Sequence, residues 1–209
     1  MLFASQDELI QHLKGTANLD NGGVKLDNPD KFRADLIDGL VKNSVLNESA
    51  DVRGLSRFII KSAAHEMGII SSSIQGLYDA RGRGECQGFT VPAINIRGMS
   101  YELSRSIFRT AHKLNAGPFI FEIAKSEIGY TFQQPHELVP VILGAAIREN
   151  HTGPVFIQGD HFQVNAKNYA SDREKEITGL KNLIRQGIEA GFYNIDIDTS
   201  TLVDLSKST

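Results

Sequence analysis

Cysteine is almost missing from this sequence. The single residue, Cys86, excludes an internal disulfide and a cysteine metal cluster. Basic excess is missing too. A net charge of −3 and a pI near 6.1 leave no electrostatic footprint for nucleic acid. No apolar run reaches membrane-spanning length, and "MLFASQDELIQHLK" has no signal-peptide pattern. No membrane partner is expected, and a cytoplasmic location is the default. What remains is ordinary globular composition: 209 residues, 41% hydrophobic and 22% charged. That length supports one domain, or one domain with an appendage.

Residues 1–87 read as a helical extension. Ser5 to Glu8 form a capping box ahead of Leu9, Ile10 and Leu13. A second helix carries Phe32, Leu36, Ile37 and Leu40. A third, longer helix places Leu55, Ile59, Ala63, Met67, Ile70, Ile74 and Leu77 on one stripe. His65 falls in it and is read as an ordinary surface or core histidine.

From residue 88 to the end the texture changes. "GFTVPAINI", "GPFIFEIA", "GPVFIQG" and "FYNIDID" are short apolar segments, each opening at or just after a glycine. Between them run helical patterns. Leu103 to Leu114 mark the first, with Gly117 beyond its end. Leu138 to Ile147 mark the second, where Pro140 must lie early or kink it. The third is Ile177 to Ile188, opened by a Ser171/Glu174 capping box and stopped at Gly191.

The order β-α-β-α-β-α-β implies an α/β fold with a parallel sheet covered by crossover helices. A doubly wound sheet and a (β/α)8 barrel both fit, and both place ligands at the carboxyl ends of the strands. "GRGECQG" does not open a dinucleotide site, because a strand follows it where a helix is needed. Arg81, just before it, and Arg83, within it, read as solvated linker charges.

The four strand ends are polar: Asn95 and Arg97; Glu122, Lys125 and Ser126; Asp160 and His161; Asp196, Asp198 and Ser200. Asp198 and Ser200 also suit helix caps. Asp160 followed by His161 does not, since the next helix pattern starts near Ser171. An imidazole that ligates a divalent metal, beside a carboxylate that moves a proton, explains the pair.

"FTVPAINIRG", "GPVFIQGDH" and "GIEAGFYNIDIDTS" resemble, in order and spacing, the first, third and fourth strands of the class II (metal-dependent) fructose-bisphosphate and tagatose-bisphosphate aldolases. The shared motifs are Pro92-Ala93-Ile94-Asn95, Asp160-His161 and Ile197-Asp198-Thr199-Ser200. The resemblance implies the first half of a TIM barrel, about four parallel strands, behind the helical extension. It implies Asp160 as the catalytic acid/base and His161 as a ligand to zinc or another divalent metal. Asp198 would lie near that metal, and Asn95, Ser126 and Ser200 would contact the phosphorylated sugar. The expected reaction is reversible cleavage of fructose 1,6-bisphosphate to dihydroxyacetone phosphate and glyceraldehyde 3-phosphate. The metal polarises the ketose carbonyl, so Lys125 has no Schiff-base role. A homo-oligomer is expected in the parent protein.

The sequence also departs from the family. The second strand, "FEIAKSE", lacks the usual Gln-x-Ser, and Ala124 stands where the serine is expected. That strand and "GDHFQVN" are closer to the non-catalytic, chaperone-like subunit of tagatose-bisphosphate aldolase. Another sugar-phosphate barrel enzyme is a further alternative. No histidine follows His161, so the chain is expected to be the amino-terminal part of a longer enzyme, inactive alone.

Overall fold

A computed structural model describes residues 1–20, 22–204 and 206–207. Ser5 caps α1 (Gln6–Leu13), its hydroxyl accepting from the Glu8 amide. A hairpin follows, β1 (Ala17–Asp20) with β2 (Gly23–Leu26). Next, α2 (Pro29–Lys31), a π-helical stretch at Phe32–Leu36 and α3 (Ile37–Leu46) run on in succession. Then come α4 (Ala50–Glu66), β3 (Ile69–Ser72) and α5 (Gln75–Gly82).

Two features correct the expectation of an all-helical extension. The first is the hairpin. The run Asp-Asn-Gly-Gly at 20–23 is a hairpin signal in the sequence. The second is that the third helix is two helices with a strand between them. Gly68, at φ +72, ends α4, a conformation a side chain would resist. Ile69 and Ile70, β-branched, then suit a strand. Ile70, Ile74 and Leu77 merely happen to continue the helical spacing.

The second half contains β4 (Ala93–Asn95), α6 (Ser100–Leu114), β5 (Ile120–Ala124), α7 (Lys125–Thr131) and α8 (Pro135–Arg148). It continues with β6 (Gly153–Asp160), α9 (Ala166–Ser171), α10 (Arg173–Ala190) and β7 (Asn194–Ile195), ending in a 3-10 turn at Ser200–Leu202. Helix α6 ends at Asn115, in the left-handed region at φ 48, two residues before the expected Gly117. The cap of α10 is Asp172, which accepts from the Lys175 amide, because Ser171 is spent as the last residue of α9.

Strands β4, β5, β6 and β7 are parallel neighbours in sequence order. That order, without reversal, is the one a singly wound sheet gives, but no closed barrel is formed by the described strands. Strand β3, from the amino-terminal region, pairs with residues 153–156 of β6, while β7 pairs with residues 158–159.

Helix α8 is where the core sits. Every residue from Leu138 to Ile147 is buried, because α3, α4, α6 and α10 all pack on it. Phe121 and Ile123 of β5 and Val155 and Ile157 of β6 meet it in the same core as Ile59 and Ile60 of α4. A Cβ on Gly144 would come within 2.4 Å of Val41, so glycine is what lets α3 seat on α8. Pro140 lies inside the helix, in its second turn. None of the helices among the described residues is long and apolar enough to cross a membrane.

Candidate active site

Since Phe121, Ile123, Val155 and Ile157 face the helices, alternation sends their neighbours to the opposite face. The parallel register places Asn95 beside Glu122, Glu122 beside Gln158 and Gln158 beside Asn194. Four polar side chains therefore form a row across four strands. One step further along, Ala124 lies beside Asp160.

The chain turns sharply after Asp160. His161 takes the left-handed region, φ 44, which a histidine adopts only when its surroundings hold it there. Asp196 does the holding. Its carboxylate accepts from the His161 amide at 3.2 Å, and its carbonyl accepts from the Phe162 amide at 2.9 Å. Phe162 folds back under Gly159, where a Cβ would lie 2.7 Å from the ring. Gly159 therefore gives the strand end its tight turn.

The imidazole then meets three carboxylates. His161 Nδ1 is 3.0 Å from Asp198 Oδ2 and 3.8 Å from Asp196 Oδ2, and Nε2 is 3.9 Å from Asp160 Oδ2. The hydrogen bond to Asp198, then the charges of Asp160 and the other carboxylates, raise the His161 pKa. Asp198 is held below the usual carboxylate range by the Ser200 amide, which donates to Oδ1 at 2.8 Å, by the Ser200 hydroxyl and by His161. Ser200 thus anchors a carboxylate.

Asn95 reaches in from β4. Its Nδ2 lies 3.4 Å from Asp160 Oδ2 and 3.0 Å from Glu127 Oε2. Glu127, in the first turn of α7, also accepts from the Ala124 amide at 2.9 Å and from the Arg97 guanidinium. Burial works against its charge, but these donors prevail and its pKa is lowered. Glu122 behaves the other way. Burial, then the negative charge of Asp160, push its carboxyl up, while Gln158, at 3.0 Å, is its one side-chain donor among the described residues.

Asn95, Asp160, His161 and Asp198 therefore lie together at the strand ends. Ser126 lies to one side, lining a cavity of about 420 Å³ with His161, Asn165, Asn168 and Thr201. Lys125 is tied to Glu176 at 2.7 Å and the Gln163 carbonyl at 2.8 Å. Sequence reasoning gave no role to Asp196 and did not find Glu127 or Gln158. Asp196 was visible in "NIDID"; nothing in the sequence signalled that Glu127 would reach back to β4.

One imidazole and two carboxylates, on His161, Asp160 and Asp196, offer donor atoms that all lie within 4.8 Å of one another. That is a nitrogen-and-oxygen donor set suited to a divalent cation. No protein-family model matches the chain, and no curated protein matches it.

Proposed function

We propose that this chain carries part of the active site of a class II ketose-bisphosphate aldolase. The observation that supports it most is the meeting of Asp160, His161, Asp198 and Asn95 at the carboxyl ends of strands that neighbour one another in sequence order. This is where parallel α/β folds do their chemistry. A closed TIM barrel belongs to the same proposal.

His161 and Asp196, two members of that donor cluster, would hold the divalent metal, with Asp198 hydrogen-bonded to the ring. Bound there, the metal would supply Lewis-acid polarisation of the ketose carbonyl. Asp160 is the proton carrier. It takes the proton from the C4 hydroxyl in cleavage and returns it in condensation. The Asn95 amide, 3.4 Å away, orients that carboxylate. In the free protein the three carboxylates favour a proton on His161, so metal and proton compete for the ring. Ser126, in the cavity beside His161, is placed to meet a hydroxyl or phosphate of the sugar.

A second reading draws on β5. Ala124, beside Asp160 in register, brings no hydroxyl to the site, and Glu122 replaces a neutral amide. Both favour the non-catalytic subunit of a tagatose-bisphosphate aldolase.

The test is zinc-dependent cleavage of fructose and tagatose 1,6-bisphosphates by the protein encoded by the full open reading frame. The aldolase reading expects cleavage that Asp160→Ala and His161→Ala each abolish. A folded, zinc-loaded protein that cleaves neither sugar overturns it and favours the helper subunit.

A further inference from the structure

Among the described residues, Met99, Asn115, Phe132, Asn150 and His161 take the left-handed backbone region without being glycine. Asparagine tolerates that region, and Asp196 holds His161 in it. Met99, at φ 48, and Phe132, at φ 59, have no such reason. Bulky side chains resist this conformation, and structures keep it where something else depends on it.

Neither residue gains packing within the chain in return. Met99 is 82% exposed and Phe132 80%. Met99 stands at the N-cap of α6 and makes no capping hydrogen bond, where a serine or aspartate would. Phe132 stands just past α7, the usual place of a glycine. Two large apolar side chains are therefore held in water on a strained backbone.

They share one surface. Met99 lines a cavity of about 420 Å³ between α3, the first turn of α6 and the connection from α7 to α8. Thr131 and Gln133, on either side of Phe132, line it as well. Its floor is apolar, with Val41 and Val141 buried, Val45 half-buried and Leu46 61% exposed at the rim. Cavities of roughly 300–1,000 Å³ take whole small molecules, so an aromatic ring has room. The patch thus carries a protruding ring and, beside it, a hollow lined by aliphatic side chains.

A knob and a hole on one patch are self-complementary, which is what a two-fold interface requires. The charges at the rim agree. Lys42 forms no ion pair among the described residues. Glu102, its side chain 57% exposed, pairs with Arg105 of its own helix at 3.1 Å, the kind of exposed contact worth little. Opposite charges on one patch face each other when two copies meet about a two-fold axis.

We infer that this face binds a second copy of the chain, each Phe132 entering the cavity between α3 and α6 of the other. Met99 packs beside the ring, and Lys42 of one copy faces Glu102 of the other. Burial in the partner then supplies what the exposed side chains lack in the single chain. The inference is independent of the aldolase proposal.

The experiment is sedimentation velocity of the chain over a concentration series. The unaltered chain should dimerise with a Kd of about 100 μM or tighter. Phe132→Gly removes the knob and suits the positive φ, so the variant should pair at least about tenfold more weakly while melting no lower when dilute. Val45→Phe fills the hole and should weaken pairing by a similar factor. Mixing those two variants should restore association beyond that of either alone, because one intact knob then meets one intact hole. Leu114→Asp, exposed at the far end of α6, should leave pairing unchanged. A chain still monomeric at about 200 μM would overturn the inference. So would a dimer indifferent to Phe132→Gly and Val45→Phe, or a mixture that associates no better than its parts.

Discussion

The two ends of the central strands β5 and β6 differ in almost every respect. At the amino ends, Phe119 and Phe121 pack with Phe108, centroids 5.7 and 5.2 Å apart. Two histidines stand there as well. His112 Nε2 and His151 Nδ1 are 3.2 Å apart, and His151 Nε2 is 3.3 Å from the Pro154 carbonyl. That is a hydrogen-bonded chain of rings, and burial lowers the His151 pKa. At the carboxyl ends a lone histidine meets three carboxylates, and its pKa is raised. The same kind of side chain is packed among aromatic rings at one end of the strands and surrounded by carboxylates at the other. Burial lowers the one pKa, while a hydrogen bond to Asp198 and neighbouring negative charge raise the other.

Substitutions sharpen that contrast. The largest expected effect is on activity: under the aldolase proposal, Asp160→Ala should cut cleavage by about 10²–10⁴-fold, the usual weight of a general acid–base group, with little loss of stability. Phe121→Ala should do the reverse, costing about 3–5 kcal/mol in denaturant unfolding through a core cavity. Gly144→Ala comes next. Its Cβ has no room beside Val41, so about 1–3 kcal/mol of overpacking should outweigh the better helix propensity of alanine.

The smallest effect is a pH dependence. Glu122 has a folded pKa raised above its unfolded one, so the folded state binds more protons. Its contribution is therefore intact below the ordinary glutamate range and is lost as pH rises through the raised value. Glu122→Gln should be more stable than the parent at neutral pH, and that advantage should vanish in acid. Thermal melts between pH 4 and 8 would show an unchanged difference if Glu122 were ordinary.

Alternation and helical spacing made much of the second half legible. The four strands and three crossover helices are where glycines and apolar runs put them. Several elements escaped, among them α7, α9, strand β3 and the amino-terminal hairpin. Strand β3 continued a helical stripe by coincidence of spacing, and only the positive φ of Gly68 reveals the break. The hairpin carried an Asn-Gly signal at 21–22 that strong helical patterns on either side overshadowed. In the site, Asp160 and His161 stood out because a charged pair ends an apolar strand. Glu127 did not, since its reach to Asn95 and the Ala124 amide exists only once α7 folds back onto β5. The row Asn95, Glu122, Gln158 and Asn194 depends on register, which no single strand encodes.

Zinc itself tests most directly whether the carboxyl ends hold the reactive site. Titrated into the chain and followed by amide and imidazole NMR, it should perturb residues 160–162 and 194–200 with one ion per chain, and His161→Ala should remove the response. Zinc that goes to the His112–His151 pair, or still reaches residues 160–200 without the His161 imidazole, would contradict the account.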